Sequence, residues 1–434
     1  MAAGGRPGHR TLAGGTGTLV CDRPLDAPRG ERQRPGPARR RAVSAALRIL
    51  IAGGGIGGLS AALALQRLGH HVRVFERSST LGEVGAGLTL TPNATRVLEA
   101  LGLWPALAPH VVIPAQSELR DGLTGKQLAV RELGEPLQAR YGAAYCHVHR
   151  ADLHGALARA VQAADPQALT LDDAFIALEH NDEAQVRVRF TRSGTVTGDV
   201  LIGADGLRSS VRDALFGRAE TRFAGYVAWR GLAPMAQLPA RLREIPACMS
   251  VGPRNLLLRY PVSGGTLMNV ACIGRTERWA EESWSTPATH AELLEQLRDW
   301  HEDAAVVVRA IPAERLFKWG LFERDELPRW QVARCALLGD AAHPMLPFLG
   351  QGAVMALEDA AVLARALAET PAPGAALARY TAARLARAST VTRLSADNGR
   401  ALVPPDEASF QPGSHSSAAT LGLMAYDPLN VALP

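Results

Sequence analysis

The first ordered pattern in the chain is an apolar run followed by a glycine turn. Residues 48–53 (Arg-Ile-Leu-Ile-Ala-Gly) predict a buried strand, and Leu59 to Leu68 predict a helix that Gly69 stops. A second strand is predicted over 72–76. A strand, a turn, a helix and a strand in this order predict a βαβ unit, whose two strands are parallel members of one sheet.

The pattern then changes twice to short alternating segments separated by turns, over 113–144 and 223–273. Such segments are typical of antiparallel strands. The further elements that the pattern predicts are helices over 93–103, 152–164, 288–300, 352–367 and 376–397, and strands over 184–190, 196–203 and 336–340.

We therefore predict an α/β fold in which a discontinuous nucleotide-binding domain is interrupted by a mainly antiparallel, β-rich second domain. The predicted boundaries are 46–112, 148–222 and 325–400 for the nucleotide-binding domain, 113–147 and 223–324 for the β-rich domain, and 401–434 for a C-terminal segment.

The positive charge of the chain lies almost entirely in its first 45 residues. They hold nine arginines and three acidic residues, whereas the rest of the chain holds 38 basic and 39 acidic residues. A nearly neutral body predicts no nucleic-acid partner. Residues 1–45 are rich in Gly, Pro and Arg, so we predict a disordered tail, or upstream sequence from a misassigned start codon, whose deletion leaves activity intact.

Length and cysteine usage narrow the class of protein further. The chain has 434 residues, of which 47% are hydrophobic, which is enough for a sizeable core. Its longest apolar run, 353–368, carries Glu358, Asp359 and Arg365, so no membrane span is predicted. The five cysteines have neither metal-ligand spacing nor the pattern of a disulfide framework, which predicts a cytoplasmic protein without a metal site.

The glycine turn itself carries candidate chemistry. Gly53-x-Gly55-x-x-Gly58 allows a tight turn at Gly53, a close backbone approach to a pyrophosphate at Gly55 and close packing of the helix at Gly58. The helix amino terminus offers free N–H groups to phosphates. Glu76, at the end of the next strand, is placed to accept hydrogen bonds from ribose hydroxyls. A glycine-rich turn without a ligand is the alternative.

Two later segments also end apolar strands with an aspartate. The first, which we call the DG motif, runs from Leu201 through Asp205 and Gly206 to Arg212; alone, it is equally consistent with an ordinary strand–turn–helix corner capped by a serine. The second, the GD motif, runs from Leu338 through Asp340 to Ala353, and its glycines open a helix whose amino terminus can face an anion. Alone, it could equally be a simple turn.

Taken in this order, the three motifs resemble those of the class A FAD-dependent aromatic monooxygenases, whose fold archetype is p-hydroxybenzoate hydroxylase. The closer resemblance is to the branch of salicylate hydroxylase, 3-hydroxybenzoate 6-hydroxylase and 6-hydroxynicotinate 3-monooxygenase. It covers residues 47–395 and the pair 426–427. Further segments that match this branch are Gly85–Asn93, His149–Leu153, Gly225–Gly231, Tyr260–Val262, Trp279–Trp284 and Pro344–Gly352.

The resemblance implies a Rossmann-like, glutathione-reductase-like FAD-binding domain and non-covalent FAD. By this likeness Glu76 holds the adenosine ribose, with Arg77 near the adenine, and Arg150 reaches the FAD. Asp205 is assigned to the pyrophosphate and to the docking of NADH or NADPH, and Asp340 to the ribityl hydroxyls.

The helix that follows the GD motif has its own implied role. Gly352 and Ala353 would present backbone N–H groups to the N1–C2=O edge of the flavin, where a helix amino terminus stabilises the negative charge of the reduced ring.

The substrate-facing positions depart from the family pattern. Where relatives carry a histidine before Tyr-Pro, this chain has Arg259, which could pair with a carboxylate or be a salt-bridged surface arginine on a strand. Pro347 and Phe348 stand where relatives have His or Gln, and Thr89 stands where the hydroxynicotinate enzyme has His. A base that activates a phenol is therefore not evident.

The implied function is an enzyme that consumes NAD(P)H and dioxygen and hydroxylates a small aromatic or heteroaromatic compound through a flavin C4a-hydroperoxide, as a monomer or homodimer. Two alternatives stay open: a monooxygenase of the same fold that acts on a larger natural product, and a flavin-binding redox protein without hydroxylation.

Overall fold

The computed structural model of the chain describes residues 46–82, 86–245, 247–277, 279 and 286–434. The tail predicted over 1–45 lies outside the described residues. The strands of the structure are β1 Arg48–Ala52, β2 His71–Phe75, β3 Gly87–Leu90, β4 Gln116–Asp121, β5 Gln127–Glu132, β6 Cys146–His149, β7 Leu169–Thr170, β8 Phe175–Asn181, β9 Val186–Phe190, β10 Gly194–Gly198, β11 Val200–Gly203, β12 Arg222–Pro234, β13 Cys248–Val251, β14 Asn255–Val262, β15 Leu267–Arg275, β16 Thr286–Pro287, β17 Phe317–Glu323, β18 Gln331–Val332 and β19 Cys335–Leu337.

Helices join these strands and cover the sheets. They are α1 Ile56–Gln66, α2 Pro92–Ala100, α3 Trp104–Leu107, α4 Gly134–Tyr141, α5 Arg150–Ala164, α6 Ser210–Phe216, α7 Ala240–Arg243, α8 His290–Gln296, α9 Glu302–Arg309, α10 Gly352–Glu369 and α11 Pro373–Leu402. Within the described part of the chain, none of them is long and apolar enough to cross a membrane.

A six-stranded sheet in the order β18, β19, β11, β1, β2, β7 carries the glycine turn. Its strands are parallel except for β18, which pairs antiparallel with β19 at the edge. The central strand β1 is buried from Ile49 to Ala52, because helices cover both faces of such a sheet. Helix α1 is buried over almost its whole length and contacts both α10 and α5.

An eight-stranded sheet in the order β16, β17, β12, β15, β14, β13, β4, β5 lies beside the first. It is antiparallel except for the β13–β4 pair. Its two faces belong to different hydrophobic clusters, because successive strand residues point to opposite sides. One cluster packs against helices α8 and α9, and the other contains residues from the carboxyl end of α11 and from the segment 346–348.

All six strands of the parallel sheet fall in the ranges predicted for the nucleotide-binding domain. The eight-stranded sheet draws on the ranges predicted for the β-rich domain, except that β12 begins one residue earlier, at Arg222. The described chain forms one compact unit, so the domain boundaries stay predictions.

The strand predicted over 196–203 is wrong as a single element, because the structure divides it between two sheets. β10 pairs with β9 in a small antiparallel sheet, whereas β11 pairs with β1. Asp199 causes the break: its carboxylate accepts hydrogen bonds from the backbone N–H and the guanidinium of Arg48. This side-chain contact turns the chain from one sheet into the other.

Helices α3, α4, α7 and α9 lie where the hydrophobic pattern predicted none, and α4 and α9 are the longer ones. Helix α4 occupies part of the range assigned to strands, and it ends at Gly142, whose φ of 74° is the left-handed conformation that stops a helix. Helix α9 follows α8, and the side chain of His301 accepts a hydrogen bond from Asp303 N–H at its start. The predicted helix 288–300 is therefore shorter than expected, and a second one follows it.

Candidate active site

The ends of three neighbouring parallel strands form the centre of the site. In register, Ala52 of β1 lies beside Gly203 of β11, which lies beside Leu337 of β19. The carboxyl ends of parallel strands lie at one edge of the sheet, where open α/β sheets bind their ligands. The glycine turn, the DG motif and the GD motif, which are far apart in sequence, therefore meet along that edge.

The glycine turn touches both of the other motifs. Gly53 has a φ of 107°, and a Cβ built on it would lie 2.3 Å from the carbonyl oxygen of Ala204 in the DG motif. A Cβ on Gly57 would lie 2.7 Å from the side chain of Leu338 in the GD motif. A Cβ on Gly58 would lie 2.0 Å from Gly53 O, so helix and turn are in direct contact, as predicted.

Gly55 has different surroundings from its neighbours. A Cβ built on Gly55 would meet no atom within 4 Å, and its backbone is in the ordinary extended region. No side chain caps helix α1 at this residue, and its first turn contains no acidic residue. The free N–H groups of the helix start thus face open space, which suits a phosphate group.

Glu76 lies beside this turn, at the end of β2. Its carboxylate accepts hydrogen bonds from Gly54 N–H at 2.7 Å and from Ser78 N–H at 2.9 Å. The side chain is therefore held next to the open space at Gly55, where a ribose would follow a pyrophosphate. Arg77 follows it and is exposed.

In the DG motif, the carboxylate of Asp205 forms hydrogen bonds within the turn that joins β11 to α6. It accepts hydrogen bonds from the Ser209 hydroxyl at 2.5 Å and from Val211 N–H at 3.1 Å, and Ser209 accepts one from Arg212 N–H at 2.8 Å. Burial raises the pKa of Asp205. The corner capped by a serine, which the sequence offered as an alternative, is thus present at the edge where the three motifs meet.

Arg212 joins the DG motif to the GD motif. Its side chain is buried, and it donates hydrogen bonds to the carbonyl oxygens of Ala341, Ala342 and Asp325. Burial lowers the pKa of Arg212 to about 10, so its charge is kept at neutral pH. The first two carbonyls directly follow Asp340, so Arg212 holds the GD turn from its carbonyl side.

Asp340 is exposed between two buried neighbours, Gly339 and Ala341. This is the pattern of a side chain on the wall of an open cleft. The surrounding protein raises the pKa of Asp340 by desolvation, while His343 and Arg150 favour its charged form. Arg150, at the start of α5, is therefore within electrostatic reach of Asp340, and the structure brings these two predicted residues together.

Helix α10 begins immediately after the GD motif. No side chain caps its amino terminus, and its first turn contains no acidic residue. A Cβ on Gly352 would meet no atom within 4 Å, and Ala353 is only half-buried. A second set of helix N–H groups therefore faces open space.

The predicted residues fit a flavin dinucleotide as a set. A glycine turn with room beside it, an acidic strand end, an accessible aspartate and two uncapped helix starts lie along one sheet edge. A pyrophosphate and a reduced flavin are both anionic, and helix amino termini favour anions.

Thr89, on β3, lies next to the loop before α10: a Cβ on Gly350 would lie 3.9 Å from its Cβ. Its hydroxyl is 3.2 Å from His147 Nδ1, and it lies close enough to Tyr145 and Tyr260 to favour the ionised form of each phenol, although burial outweighs this effect on their pKa values. The ring of His147 stacks on Tyr260 at 4.2 Å and meets Tyr145 edge-on at 5.4 Å. We call these four residues the Thr89 cluster.

Burial keeps the Thr89 cluster uncharged. It raises the pKa of Tyr145 to about 12 and also raises that of Tyr260, and it lowers the pKa of His147 to about 3. The tyrosines therefore stay protonated at neutral pH and can donate hydrogen bonds. His147 stays neutral, and its Nε2 atom is buried without a partner.

Arg259, predicted to face the substrate, lies on the opposite side of the eight-stranded sheet. Its guanidinium is buried and donates to the carbonyl oxygen of Leu242 at 3.2 Å. The next residue, Tyr260, contacts Gly87 of β3 and His147 of β6. Because adjacent strand residues point to opposite faces, the structure does not bring Arg259 to the Thr89 cluster.

Phe348 is also placed differently from the prediction. Its ring is buried against Tyr226, at 4.9 Å between centroids, and against Gly399 of α11, within a hydrophobic cluster. Pro347 is exposed. The ring of Phe348 thus packs in the core beneath the loop that leads into α10, between Tyr226 and α11, and does not face a ligand.

Tyr145, His147 and the position of Tyr260 beside them were not predicted from the sequence. A signal was available, because Tyr145 and His147 stand two residues apart and so share one face of a strand. What brings Tyr260 to them is the packing of β14 against β6, which is a long-range contact.

Comparison with known proteins decides the family. The model of the family described as "FAD binding domain" matches residues 46–395. The chain belongs to this FAD-binding family. The flavoprotein is 37% identical to 3-amino-4-hydroxybenzoate 2-monooxygenase PtmB3 of Streptomyces platensis over 361 residues, which cover 83% of this chain and 89% of that protein. It is 35% identical to 3-hydroxybenzoate 6-hydroxylase 1 of Aquipseudomonas alcaligenes, over 80% of this chain and 87% of that one.

Solved structures have the same fold. Klebsiella pneumoniae HpxO complexed with FAD and uric acid matches with a TM-score of 0.76 and 25% identity, covering 88% of this flavoprotein and 94% of HpxO. A salicylate hydroxylase substrate complex matches with a TM-score of 0.72 and 26% identity, covering 88% and 96% of the two chains.

These matches confirm what the resemblance implied at the level of the family. The flavoprotein has the α/β fold class of FAD-dependent hydroxylases, FAD is its cofactor, and it is an FAD-dependent aromatic monooxygenase, with NAD(P)H as the reductant general to the family.

Proposed function

We propose that this monooxygenase hydroxylates a small aromatic acid that already carries a ring hydroxyl or amino group. The relatives named above act on 3-amino-4-hydroxybenzoate and 3-hydroxybenzoate. The single observation that carries the proposal is the Thr89 cluster, an uncharged polar wall beside the loop that leads into α10. Bound FAD would supply the redox chemistry, in which a hydride from NADH or NADPH reduces dioxygen so that one oxygen atom enters the ring and the other leaves as water.

In this proposal, different residues along the sheet edge bind different parts of the cofactor. Gly53, Gly55 and Gly58 form the pyrophosphate turn, and Glu76 with Arg77 takes the adenosine. Asp340, beside Arg150, takes the ribityl hydroxyls.

Two helix starts complete the proposed site. Gly352 and Ala353 present N–H groups to the flavin ring. Both carboxylate oxygens of Asp205 are engaged within its own corner, so we propose that it acts by holding the start of α6 beside the pyrophosphate and the incoming NAD(P)H.

The Thr89 cluster supplies hydrogen bonds rather than a charged base. Tyr145 and Tyr260 stay protonated and can donate to a substrate oxygen, which stabilises negative charge on that oxygen as the ring is attacked. Burial keeps His147 in its neutral form, so its part is to orient the Thr89 hydroxyl. The proposed substrate carries its activating oxygen or nitrogen toward this wall.

The experiment is a panel of hydroxybenzoates, aminohydroxybenzoates and hydroxypyridines, scored for stimulated NAD(P)H oxidation, peroxide release and hydroxylated product. We expect a hydroxylated or aminated benzoate to stimulate oxidation with product formed. Stimulation without any product would favour a redox protein, and stimulation only by bulky compounds would favour a larger natural product.

A pair of variants tests the substrate wall. Thr89→Val removes the hydroxyl that links the cluster, so we expect a higher KM and more peroxide per NAD(P)H consumed. Thr95→Val is the matched control, because its buried hydroxyl donates to Ala144 O, outside the cluster. Equal kinetic effects of the two variants would contradict the proposed wall.

We propose a cytoplasmic location, since Cys146, Cys248, Cys272 and Cys335 are free thiols, as a reducing compartment favours. A monomer or homodimer is proposed, and light scattering of the purified protein distinguishes the two.

A further inference from the structure

A buried carboxylate on α10 contacts the GD turn at two points. Asp359 is 0% exposed, and its Oδ2 atom accepts hydrogen bonds from Gly339 N–H at 3.0 Å and from His343 Nε2 at 2.6 Å. Its other oxygen, Oδ1, accepts one from Arg384 Nε at 2.7 Å. All of the contacts of Asp359 are therefore inside the protein, behind the open cleft.

The two groups bound by Asp359 Oδ2 flank Asp340 in the sequence. Gly339 comes directly before Asp340 and has a φ of 62°, and His343 comes three residues after it. One oxygen atom thus ties down both ends of the short turn that presents Asp340 to the cleft. Arg212 holds the carbonyls of the same turn from the other side.

Asp359 also belongs to the helix whose first residues are Gly352 and Ala353. Two turns of a rigid helix separate it from that helix start. The GD turn and the start of α10 are consequently connected through one side chain. Any loosening at Asp359 changes where Asp340 lies relative to the N–H groups of Gly352 and Ala353.

We propose that Asp359 is a positioning residue for the cofactor, which fixes Asp340 relative to the amino terminus of α10 and so sets both FAD affinity and the environment of the flavin ring. This inference rests on the proposed roles of Asp340 and Gly352. The physical reason is preorganisation: a turn held in one place loses less freedom when a ligand binds, and it keeps its hydrogen bonds aligned.

The neighbouring residue provides a matched control. Glu358 is also 0% exposed, and it pairs with Arg384 at 2.7 Å, with Arg387 at 2.7 Å, and with the side-chain amide of Asn93 at 2.6 Å. These contacts tie α10 to α11 and α2, and none of them reaches the GD turn. Neutralising Glu358 therefore disturbs the same buried ion network without touching Asp340.

The test compares Asp359→Asn with Glu358→Gln in the full chain. Three quantities are measured: the melting temperature of the apoprotein, the Kd for FAD from the quenching of flavin fluorescence, and the visible absorption band of the bound flavin. We expect Asp359→Asn to raise the Kd at least tenfold and to shift the flavin band, and Glu358→Gln to lower the melting temperature with a Kd within threefold of wild type.

Two results would overturn the proposal. The first is a Kd for Asp359→Asn within threefold of wild type. The second is that Asp359→Asn and Glu358→Gln lower the melting temperature equally and also weaken FAD binding equally. If Asp359→Asn does not fold, His343→Leu removes one of the two bonds to Oδ2, and we expect a Kd that rises at least threefold with the same band shift. An unchanged Kd in His343→Leu would then reject the proposal. Wild-type protein that bound no FAD would instead reject the proposed cofactor site itself.

Discussion

Replacing Gly55 and Gly58 separately with alanine should separate cofactor binding from folding. A Cβ on Gly55 meets no atom within 4 Å, and the backbone there, with a φ of −74°, accepts any residue. Alanine is a poorer helix N-cap than glycine, but it reduces the freedom of the unfolded chain, and the two effects offset within about 1 kcal/mol. We therefore expect Gly55→Ala to melt as the wild type does.

The same methyl group would occupy the space that we assign to the FAD pyrophosphate. We expect the Kd for FAD to rise at least tenfold, which corresponds to about 1.4 kcal/mol of binding free energy. The assay is a titration of apoprotein with FAD, followed by flavin fluorescence, with a thermal melt of the same sample.

Gly58→Ala is the opposite case. Its Cβ would lie 2.0 Å from Gly53 O, whereas real Cβ contacts are essentially never under 3.0 Å, so the turn or the helix must move by about 1 Å. Overpacking of this kind costs about 1–3 kcal/mol, and the gain in helix propensity returns at most about 1 kcal/mol. We expect a lower melting temperature of the apoprotein. Wild-type FAD affinity in Gly55→Ala, or wild-type melting in Gly58→Ala, would refute the reasoning about this turn.

Three further predictions follow from buried groups. Arg259→Ala should lower the melting temperature, because it removes a buried hydrogen bond to Leu242 O. It should leave the KM for carboxylated substrates unchanged in steady-state kinetics, and a raised KM would contradict the placement of Arg259 away from the site. The pKa of His147 is lowered to about 3, so below pH 6.5 the unfolded chain binds a proton at this residue that the folded protein does not bind. This difference should reduce stability by up to about 1.4 kcal/mol per pH unit in melts from pH 7 to 5, and His147→Gln should remove this contribution while that of His415, whose pKa burial lowers to about 4, remains. Burial raises the pKa of all four described thiols. A thiol reagent at pH 8 should therefore modify at most one cysteine of the folded protein and all five after unfolding. Two or more modified thiols in the folded state would contradict this burial. The four described cysteines are Cys146, Cys248, Cys272 and Cys335.

Local patterns were enough for the cofactor side of the site. Each of the three motifs consists of a short apolar strand and the glycines or aspartate close after it, and their order along the chain indicated the family. Parallel strands place their carboxyl ends at one edge, so Gly55, Asp205 and Asp340 could be predicted to lie close together before any contact was known.

The substrate side of the site was harder to predict, because it depends on which face of a strand each side chain points to. Arg259 and Tyr260 are neighbours in sequence, yet only Tyr260 points toward the Thr89 cluster. A run such as 255–262, in which both faces are buried, carries no alternation from which the direction can be read. The same limit explains Phe348, whose burial against α11 is a contact between distant elements.

The sequence by itself determined the family, the FAD cofactor and the strand ends that hold it, because glycine turns and acidic strand ends are local features with one main use in this order. Only the tertiary structure decided that Thr89, Tyr145, His147 and Tyr260 form one cluster. It also decided that Asp359 accepts hydrogen bonds from Gly339 and His343, the residues on either side of Asp340. These arrangements depend on the packing of β6 against β14 and on the GD turn folding back onto α10, contacts between segments that no local pattern relates to one another.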